Sequence, residues 1–187
     1  GQVIHFDMTK NMPSFKIRDA INYYLKPQPI SLIDVIEVPP TFHARFTALS
    51  RSYLYRIVNR YSTLALEQHR VWRVPQPLNI DAMKRAAESL RGTHDFSTFR
   101  STDCQAKSPI KTLDHFTIDQ NHEDIQFFVK ARSFLHHQVR NMVGSLVYVG
   151  LNKWTVDDFI QAKDAKDRRR GGPKAPACGL YFLKAHY

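Results

Sequence analysis

Apolar and polar residues alternate along several stretches of the chain, and a period of two predicts β-strands. The stretch Ser50–Asn59 places Tyr53 and Tyr55 on one face and Leu54 on the other. The same alternation, or a short apolar run, predicts strands at five further ranges. These ranges are Ile4–Met8, Ile30–Val38, Thr112–Asp119, Ile125–Phe134 and Leu180–Ala185.

Apolar residues recur at helical spacing in three other stretches, and residues that typically begin or end a helix support three of the four predicted helices. Where an acidic residue follows the N-cap at the third position, the two can form a capping box. The predicted helices are one from Ser14, as N-cap, to Leu25; one that Asn79 caps and Gly92 ends; one over about His136–Val149; and a short one with Thr155 and Asp158 as its capping box.

The order of these elements predicts the fold class. The polar residues Gln120–Asp124 join two strand-like runs and are typical of a β-hairpin. Strands joined by hairpins and interleaved with helices favour an antiparallel sheet over a doubly wound parallel one. We therefore predict an α+β fold, with a mixed, largely antiparallel sheet and helices on one face.

The composition is that of a globular protein with a strong positive charge. Its 187 residues are 43% hydrophobic and 24% charged, which excludes disorder of the whole chain. Lys and Arg total 27 against 17 Asp and Glu, a net charge of +10. Such a surplus favours a polyanionic partner, although a solvated basic surface is the open alternative. The charge is concentrated near glycines and prolines that predict a loop, in Lys163, Lys166, Arg168, Arg169, Arg170 and Lys174.

Other chemistry is less well supported by the sequence. Cys104 and Cys178 are far apart and form no disulfide framework, which favours a reducing compartment. The adjacent His136 and His137 would point apart on a helix, which argues against a shared metal ion. No glycine motif for nucleotides is present, whereas a Ser-His-Asp triad stays open. The longest uncharged run, Asn141–Asn152, is too short for a membrane span, and no secretory signal is visible.

Two residues invite a choice between a structural and a functional role. Arg140 sits on a helix with an apolar stripe, so it belongs either to the solvated face or to a pair with a carboxylate or phosphate. Tyr53 is either a core residue of its strand or a ring that stacks on an unpaired base. Arginines also stand next to aromatic residues in Phe42–Phe46 and Asp95–Arg100.

Taken in order, six segments resemble the tRNA pseudouridine synthase A (TruA) family. The resemblance covers essentially the whole chain, and the six segments together are far more specific than any one of them. The segments are Gly1–Phe6, Phe42–Phe46, Arg51–Tyr55, Asp95–Arg100, Phe134–Gly144 and Ala162–Phe182.

The resemblance implies an isomerase that converts uridines at positions 38–40 of the tRNA anticodon stem-loop to pseudouridine, with no cofactor and no metal. It also implies a cytoplasmic homodimer with the tRNA lying across both subunits. In this family the catalytic Asp belongs to an Arg-Thr-Asp segment just upstream of the Gly1–Phe6 run. We therefore expect the 187-residue chain by itself to be inactive.

The family's residues carry over to positions of this chain. The resemblance makes Tyr53 the tyrosine that packs on the target base, Arg140 the partner of the catalytic Asp, and Leu180 the residue that closes the pocket. Arg45, Arg51 and Arg100, together with the six basic residues of the predicted loop, are candidate contacts to the RNA backbone.

The resemblance also implies two related halves. We predict a division into residues 1–74, the remainder of a catalytic N-terminal half, and residues 75–187, a C-terminal half with Arg140 and the basic loop. A non-catalytic tRNA-binding module is the alternative function. A generic basic scaffold protein is a third, and it would show no preference for tRNA over other polyanions.

Overall fold

The computed structural model describes residues 1–187, and contacts between residues divide them into two compact units. The smaller unit is Val3–Thr47, and the larger consists of Ala48–Tyr187 together with Gly1–Gln2. The predicted division into residues 1–74 and 75–187 stays a prediction.

The smaller unit contains one helix, α1 (Ser14–Leu25). The prediction of this helix is confirmed, but Pro13 rather than Ser14 holds the N-cap position and no side chain caps the helix. Asn22 exchanges two hydrogen bonds with the backbone of Leu32, which holds the following segment against the helix.

The strands predicted at Ile4–Met8 and Ile30–Val38 are wrong, since neither range forms a strand. Alternation shows which side of a segment is apolar, but a strand also needs backbone hydrogen bonds to a neighbouring strand. Neither range has such a partner.

The larger unit is built on one six-stranded sheet. Neighbours along it follow the order β2-β1-β5-β4-β3, and β6 also pairs with β1. All pairs are antiparallel except β1 with β2. The predicted mixed, largely antiparallel sheet is therefore confirmed. The strands are β1 (Ser50–Asn59), β2 (Trp72–Val74), β3 (Gly92–Asp95), β4 (Ile110–Asn121), β5 (Asp124–Ala131) and β6 (Leu180–His186).

The β4–β5 hairpin is tighter than predicted. Only His122 and Glu123 lie between the two strands, and His122 has a φ of 53°. The left-handed backbone at this position suits the sharp two-residue connection. The short strands β2 and β3 were not predicted, because three or four residues are too few to show alternation.

Three helices complete the larger unit and share one hydrophobic core with the sheet face that carries Tyr55, Ile57 and Phe127. The hydrophobic effect of this burial is what holds the helices to the sheet. None of the helices is both long and apolar enough to span a membrane. The helices are α2 (Ile80–Glu88), α3 (Gln138–Gly150) and α4 (Val156–Asp164).

The predicted caps are largely confirmed. Asn79 caps α2 through its side chain, and Thr155 and Asp158 form the full capping box of α4. Gly92, however, does not end α2: the helix ends at Glu88, and Gly92 begins β3 with a φ of 88°.

The basic segment 163–174 is more ordered than the predicted loop. Lys163 belongs to the last turn of α4, and Arg168–Arg170 form a single 3-10 turn. The Asp167 side chain caps this turn by accepting a hydrogen bond from the amide of Arg169. The capped turn lies before Gly171, Gly172 and Pro173, the helix-breaking residues on which the loop prediction was based.

Candidate active site

Strand β1 carries two tyrosines that point to the core face of the sheet. Tyr55 is fully buried, whereas Tyr53, nearer the start of the strand, is half-buried. The ring of Tyr53 meets Phe134 and Phe182 edge-on, with centroid distances of 5.1 and 5.2 Å. Edge-to-face contacts of this kind fix the orientation of a ring.

The surroundings of Tyr53 keep its hydroxyl protonated at neutral pH. Burial raises the pKa of this phenol, and the Arg51 guanidinium partly opposes the rise. Arg51 donates to the carbonyl oxygens of Ala48 at 3.0 Å and Arg132 at 2.8 Å, which fixes the charge at this end of β1. Tyr53 can therefore offer an apolar ring and a neutral hydroxyl to a bound molecule.

Arg140 lies in the first turn of α3 and is half-buried. Its Nε donates to the carbonyl oxygen of Ala175 at 2.7 Å, and the Ala175 amide donates back to the carbonyl oxygen of Arg140 at 3.1 Å. Arg140 forms no salt bridge with any carboxylate of the 187 residues. Its two terminal nitrogens can therefore receive a carboxylate or phosphate from elsewhere.

Tyr55 connects the segment that contains Ala175 and Pro176 to the sheet. Its hydroxyl donates to the carbonyl oxygen of Pro176 at 2.7 Å, and burial raises the pKa of the phenol far above its usual value. Gly179 packs against the Tyr55 ring, which a Cβ at that position would approach to 2.7 Å. The glycine thus lets β6 begin beside Tyr55.

Leu180 is the first residue of β6 and the cross-strand partner of Tyr55, while Phe182 is the partner of Tyr53. Leu180 is half-buried against the core. The structure therefore links three residues from distant parts of the sequence through shared neighbours. Tyr53 contacts Phe182 on the strand that Leu180 begins, and Arg140 is hydrogen-bonded to Ala175 in the segment that leads into that strand.

The sequence was compared with known proteins. The sequence model of the tRNA pseudouridine synthase family matches residues 86–187, more than half of the chain. Proteins named tRNA pseudouridine synthase A align with all 187 residues: one from Paramagnetospirillum magneticum at 52% identity, one from Maricaulis maris at 51% and one from Xanthobacter autotrophicus at 51%. The chain belongs to the tRNA pseudouridine synthase A family.

Membership of the tRNA pseudouridine synthase A family confirms the resemblance inferred from the six segments. The family is one of isomerases that act on tRNA, as its name states. The chain spans 73%, 75% and 76% of the lengths of the three relatives named above.

The basic residues of segment 163–174 fall into two groups. Lys166, Arg169, Arg170 and Lys174 are exposed. Lys163, by contrast, is buried, and its Nζ donates to the carbonyl oxygen of Ser89 at 3.1 Å and lies 3.3 Å from Asp164. In a tRNA pseudouridine synthase, only exposed cations can meet phosphates without rearrangement.

Arg168 and Arg169 also have partners within the chain. Arg168 is half-buried and donates to the carbonyl oxygen of Gly172 at 3.0 Å. The side chain of Arg169 is 89% exposed and pairs with Asp167 at 2.7 Å. This pair lowers the pKa of Asp167 and raises that of Arg169. An exposed ion pair of this kind is weak and can exchange for a phosphate.

The remaining RNA-contact candidates differ in the contacts that they make within the chain. Arg100 donates to the carbonyl oxygens of Cys104 at 2.7 Å and Ala106 at 2.9 Å, so it holds a loop together. Arg45, in the smaller unit, is exposed, and its guanidinium lies over the ring of Phe46 at 5.6 Å. Their roles toward tRNA stay predictions.

Two cavities lie on the surface of the protein. Of the residues Tyr53, Arg140 and Leu180, only Tyr53 lines one of them. One, of about 350 Å³, is lined by Tyr53 together with polar residues of β4 and β5. The other, of about 410 Å³, lies against α4 and is lined in part by Trp154 and Arg170. Neither Arg140 nor Leu180 lines either cavity.

Sequence reasoning was wrong about the two adjacent histidines. His136 and His137 precede α3 rather than lie on it, and their rings stack with centroids 3.7 Å apart. His137 has a φ of 61°, and this left-handed backbone turns its side chain toward its neighbour's. No group of three or more His, Cys, Asp or Glu side chains in the chain is placed to hold a metal ion.

Proposed function

We propose that this chain forms the base-binding side of a tRNA pseudouridine synthase that isomerises uridines at positions 38–40 of the anticodon stem-loop. The observation that carries the proposal is that strand pairing, ring contacts and hydrogen bonds link Tyr53 of β1, Arg140 of α3 and Leu180 of β6. A half-buried ring, an arginine without a carboxylate partner and an aliphatic side chain suit the flat face of a base beside a reacting sugar. An extruded base requires such a pocket.

The proposed reaction balances without any added reactant. The bond between N1 of uracil and C1′ of the ribose breaks, and a bond between C5 and C1′ forms. The proton on C5 leaves, and N1 ends with a proton. No electrons are gained or lost, so the chemistry needs a carboxylate, a site that retains the freed uracil and exclusion of water.

Each of the three residues has a distinct proposed role. Arg140 orients the catalytic carboxylate through its terminal nitrogens, while its Nε is held by Ala175. The ring of Tyr53, fixed by its aromatic neighbours, packs on the uracil, and its hydroxyl lies on the side from which the C5 proton leaves. Leu180 closes the pocket over the base and limits the access of water.

We further propose that the carboxylate comes from the Arg-Thr-Asp segment that the family places before Gly1, and that the 187 residues alone do not turn over. The absence of a salt bridge to Arg140 from any carboxylate of the chain supports this proposal. A cytoplasmic homodimer, with one tRNA lying across both subunits, is part of the same proposal, and sedimentation of the free protein and of its tRNA complex tests it.

Release of tritium from tRNA labelled at C5 of uracil tests the function. We expect release by the protein at the full length of its relatives and none by the 187 residues alone. Binding of tRNA by the full-length protein without release would favour the non-catalytic tRNA-binding module. Equal affinity for tRNA and for an unrelated polyanion would favour the generic scaffold protein.

A further inference from the structure

The stacked rings of His136 and His137 stand at the amino end of α3, beside Arg140. His137 occupies the N-cap position in a left-handed conformation and makes no side-chain capping bond. Non-glycine residues rarely adopt this conformation, so it is a feature that calls for an explanation. A capping role does not explain it.

Two of the groups around His137 are permanently cationic, Lys174 and Arg140. His136 stacks on the His137 ring. The charges of Lys174, in the segment after α4, and of Arg140, in α3, lower the pKa of His137, and the charge of Asp103 raises it. The amino end of a helix adds a partial positive charge. This corner of the molecule therefore has more positive charge than its own acids balance.

His137 also has an unpaired ring nitrogen. Its Nδ1 is buried and has no hydrogen-bond partner in the chain. Burial lowers the pKa of the ring, and His136, Lys174 and Arg140 lower it further, so the free protein holds the ring neutral at pH 7. A protonated ring would need a compensating negative charge, because His136, Lys174 and Arg140 all disfavour it.

We propose that His136, His137 and Lys174 bind one phosphodiester of the RNA strand, next to the pocket of Tyr53, Arg140 and Leu180. The inference rests on the proposed function, because that function makes an RNA strand the molecule in the pocket. Lys174 and His136 are exposed, so a phosphate can reach them. Ala175, the neighbour of Lys174, is bonded to Arg140, which keeps the lysine close to the pocket.

Occupation of this site takes up a proton. A phosphate between the rings and Lys174 supplies the negative charge that protonated His137 lacks. Binding therefore raises the pKa of His137 toward and above its usual value, and affinity for RNA increases as the pH falls. One linked proton changes affinity by at most about tenfold per pH unit.

Binding of a fluorescent anticodon stem-loop RNA to the protein at the full length of its relatives, measured by anisotropy at pH 6, 7 and 8, tests the inference. The variant is His137→Asn, since asparagine tolerates a positive φ. The matched control is His122→Asn, because His122 is exposed and has a φ of 53° against 61° for His137.

We expect the wild type and His122→Asn to gain several-fold in affinity between pH 8 and pH 6. His137→Asn should lose most of this gain and bind about three- to tenfold more weakly at pH 6. Identical pH profiles for His137→Asn and His122→Asn would overturn the inference.

Lys174→Gln tests the inference independently, should His137→Asn fail to fold. The slope of log affinity against log salt should fall by about 0.7 to 0.9, the value for one lost phosphate contact. Lys153→Gln, at another exposed lysine, is the comparison. An unchanged slope for Lys174→Gln would contradict the site.

Tritium release separates this inference from the proposed function. If the wild type releases tritium and the RNA affinity of His137→Asn depends on pH as that of the wild type does, the phosphate site is rejected and the proposed function is not. No release by the full-length wild type would reject the function, whatever the binding data show. If His137→Asn loses turnover without any change in RNA affinity, the site serves the protein's own acidic segment and the inference is wrong.

Discussion

Arg140 and Ala175 hold each other through two hydrogen bonds, one from the Arg140 Nε at 2.7 Å and one from the Ala175 amide at 3.1 Å. This reciprocal pair fastens the first turn of α3 to the segment that leads into β6. The position of the guanidinium and the position of Leu180 therefore depend on the same short piece of backbone. Both terminal nitrogens of Arg140 remain for a carboxylate.

Replacing Arg140 by alanine in the full-length protein should lower single-turnover tritium release by about 10²-fold or more, since the carboxylate that we propose Arg140 orients would lose a preorganised charged partner. Loss of the bond to Ala175 should also lower the free energy of unfolding, by about 1 to 3 kcal/mol. Arg85→Ala removes an exposed arginine of α2 and should do neither. Wild-type turnover in Arg140→Ala would show that the arginine has no part in the reaction.

Replacing Tyr53 by phenylalanine keeps the ring and removes only the hydroxyl. The edge-to-face contacts with Phe134 and Phe182 are retained, so the melting temperature should stay close to that of the wild type. Tritium release should fall strongly, because the variant lacks the hydroxyl that we propose lies beside the C5 proton. Tyr148→Phe, at a tyrosine that packs on Trp154, is the control and should retain turnover. Full activity in Tyr53→Phe would limit the tyrosine to a packing role.

The sequence was a good guide to the larger unit and a poor one to the smaller. The alternation in Ser50–Asn59 marks a strand that has partners on both sides, so the pattern and the pairing agree. The equally clear alternation in Ile4–Met8 has no partner strand and forms no strand. Pairing is a property of the whole fold, and a local pattern does not contain it.

The candidate site could be predicted residue by residue but not as a geometry. Resemblance to the family selected Tyr53, Arg140 and Leu180. Nothing in the spacing of the chain indicated that Tyr55 bonds the segment before β6 to β1. Its position two residues after Tyr53 does place it on the same face of the strand. The stacking of His136 and His137 was missed because the helix was predicted to begin too early.

Tyr55 should make stability depend on pH in the alkaline range. Burial raises the pKa of its phenol, so the folded state favours the protonated form and the unfolded chain ionises first, at about pH 10. The contribution of Tyr55 is thus complete below pH 10 and declines as the pH rises above it. Tyr55→Phe leaves the carbonyl oxygen of Pro176 without its donor and should cost about 1 to 3 kcal/mol at pH 8.

Thermal unfolding at pH 8 and pH 10.5 checks this prediction. The wild type should lose stability between pH 8 and pH 10.5, and Tyr55→Phe should lose less. The difference in melting temperature between the two proteins should therefore be smaller at pH 10.5. A gap that widens with pH would mean that the phenol ionises more easily in the folded state than in the unfolded chain.

Gly144 is a point of close approach between α3 and the basic segment. A Cβ at this position would overlap the carbonyl oxygen of Pro173, which is backbone and cannot turn aside. Gly144→Ala should therefore cost about 1 to 3 kcal/mol of unfolding free energy. It should also lower turnover, because displacement of Pro173 moves the segment that carries Lys174. Ser145 lies next to Gly144, and its hydroxyl accepts the Gly172 amide, so Ser145→Ala provides a second perturbation of the same contact.

Chemical denaturation and tritium release measure these two effects separately. A stable Gly144→Ala protein with wild-type turnover would show that the segment tolerates displacement, contrary to the tight positioning inferred for Arg140.

Exposed and buried cations in segment 163–174 should affect different properties: an exposed one RNA binding, and the buried Lys163 stability. Arg170 is exposed, so Arg170→Gln should leave the melting temperature nearly unchanged and reduce the salt slope of tRNA binding by about 0.7 to 0.9 if it meets one phosphate. Lys163 is buried and bonded to the Ser89 carbonyl oxygen, so Lys163→Gln should lower the melting temperature and leave the slope alone. A reduced slope for Lys163→Gln would mean that tRNA draws this lysine out of the core, and the basic segment would then rearrange on binding.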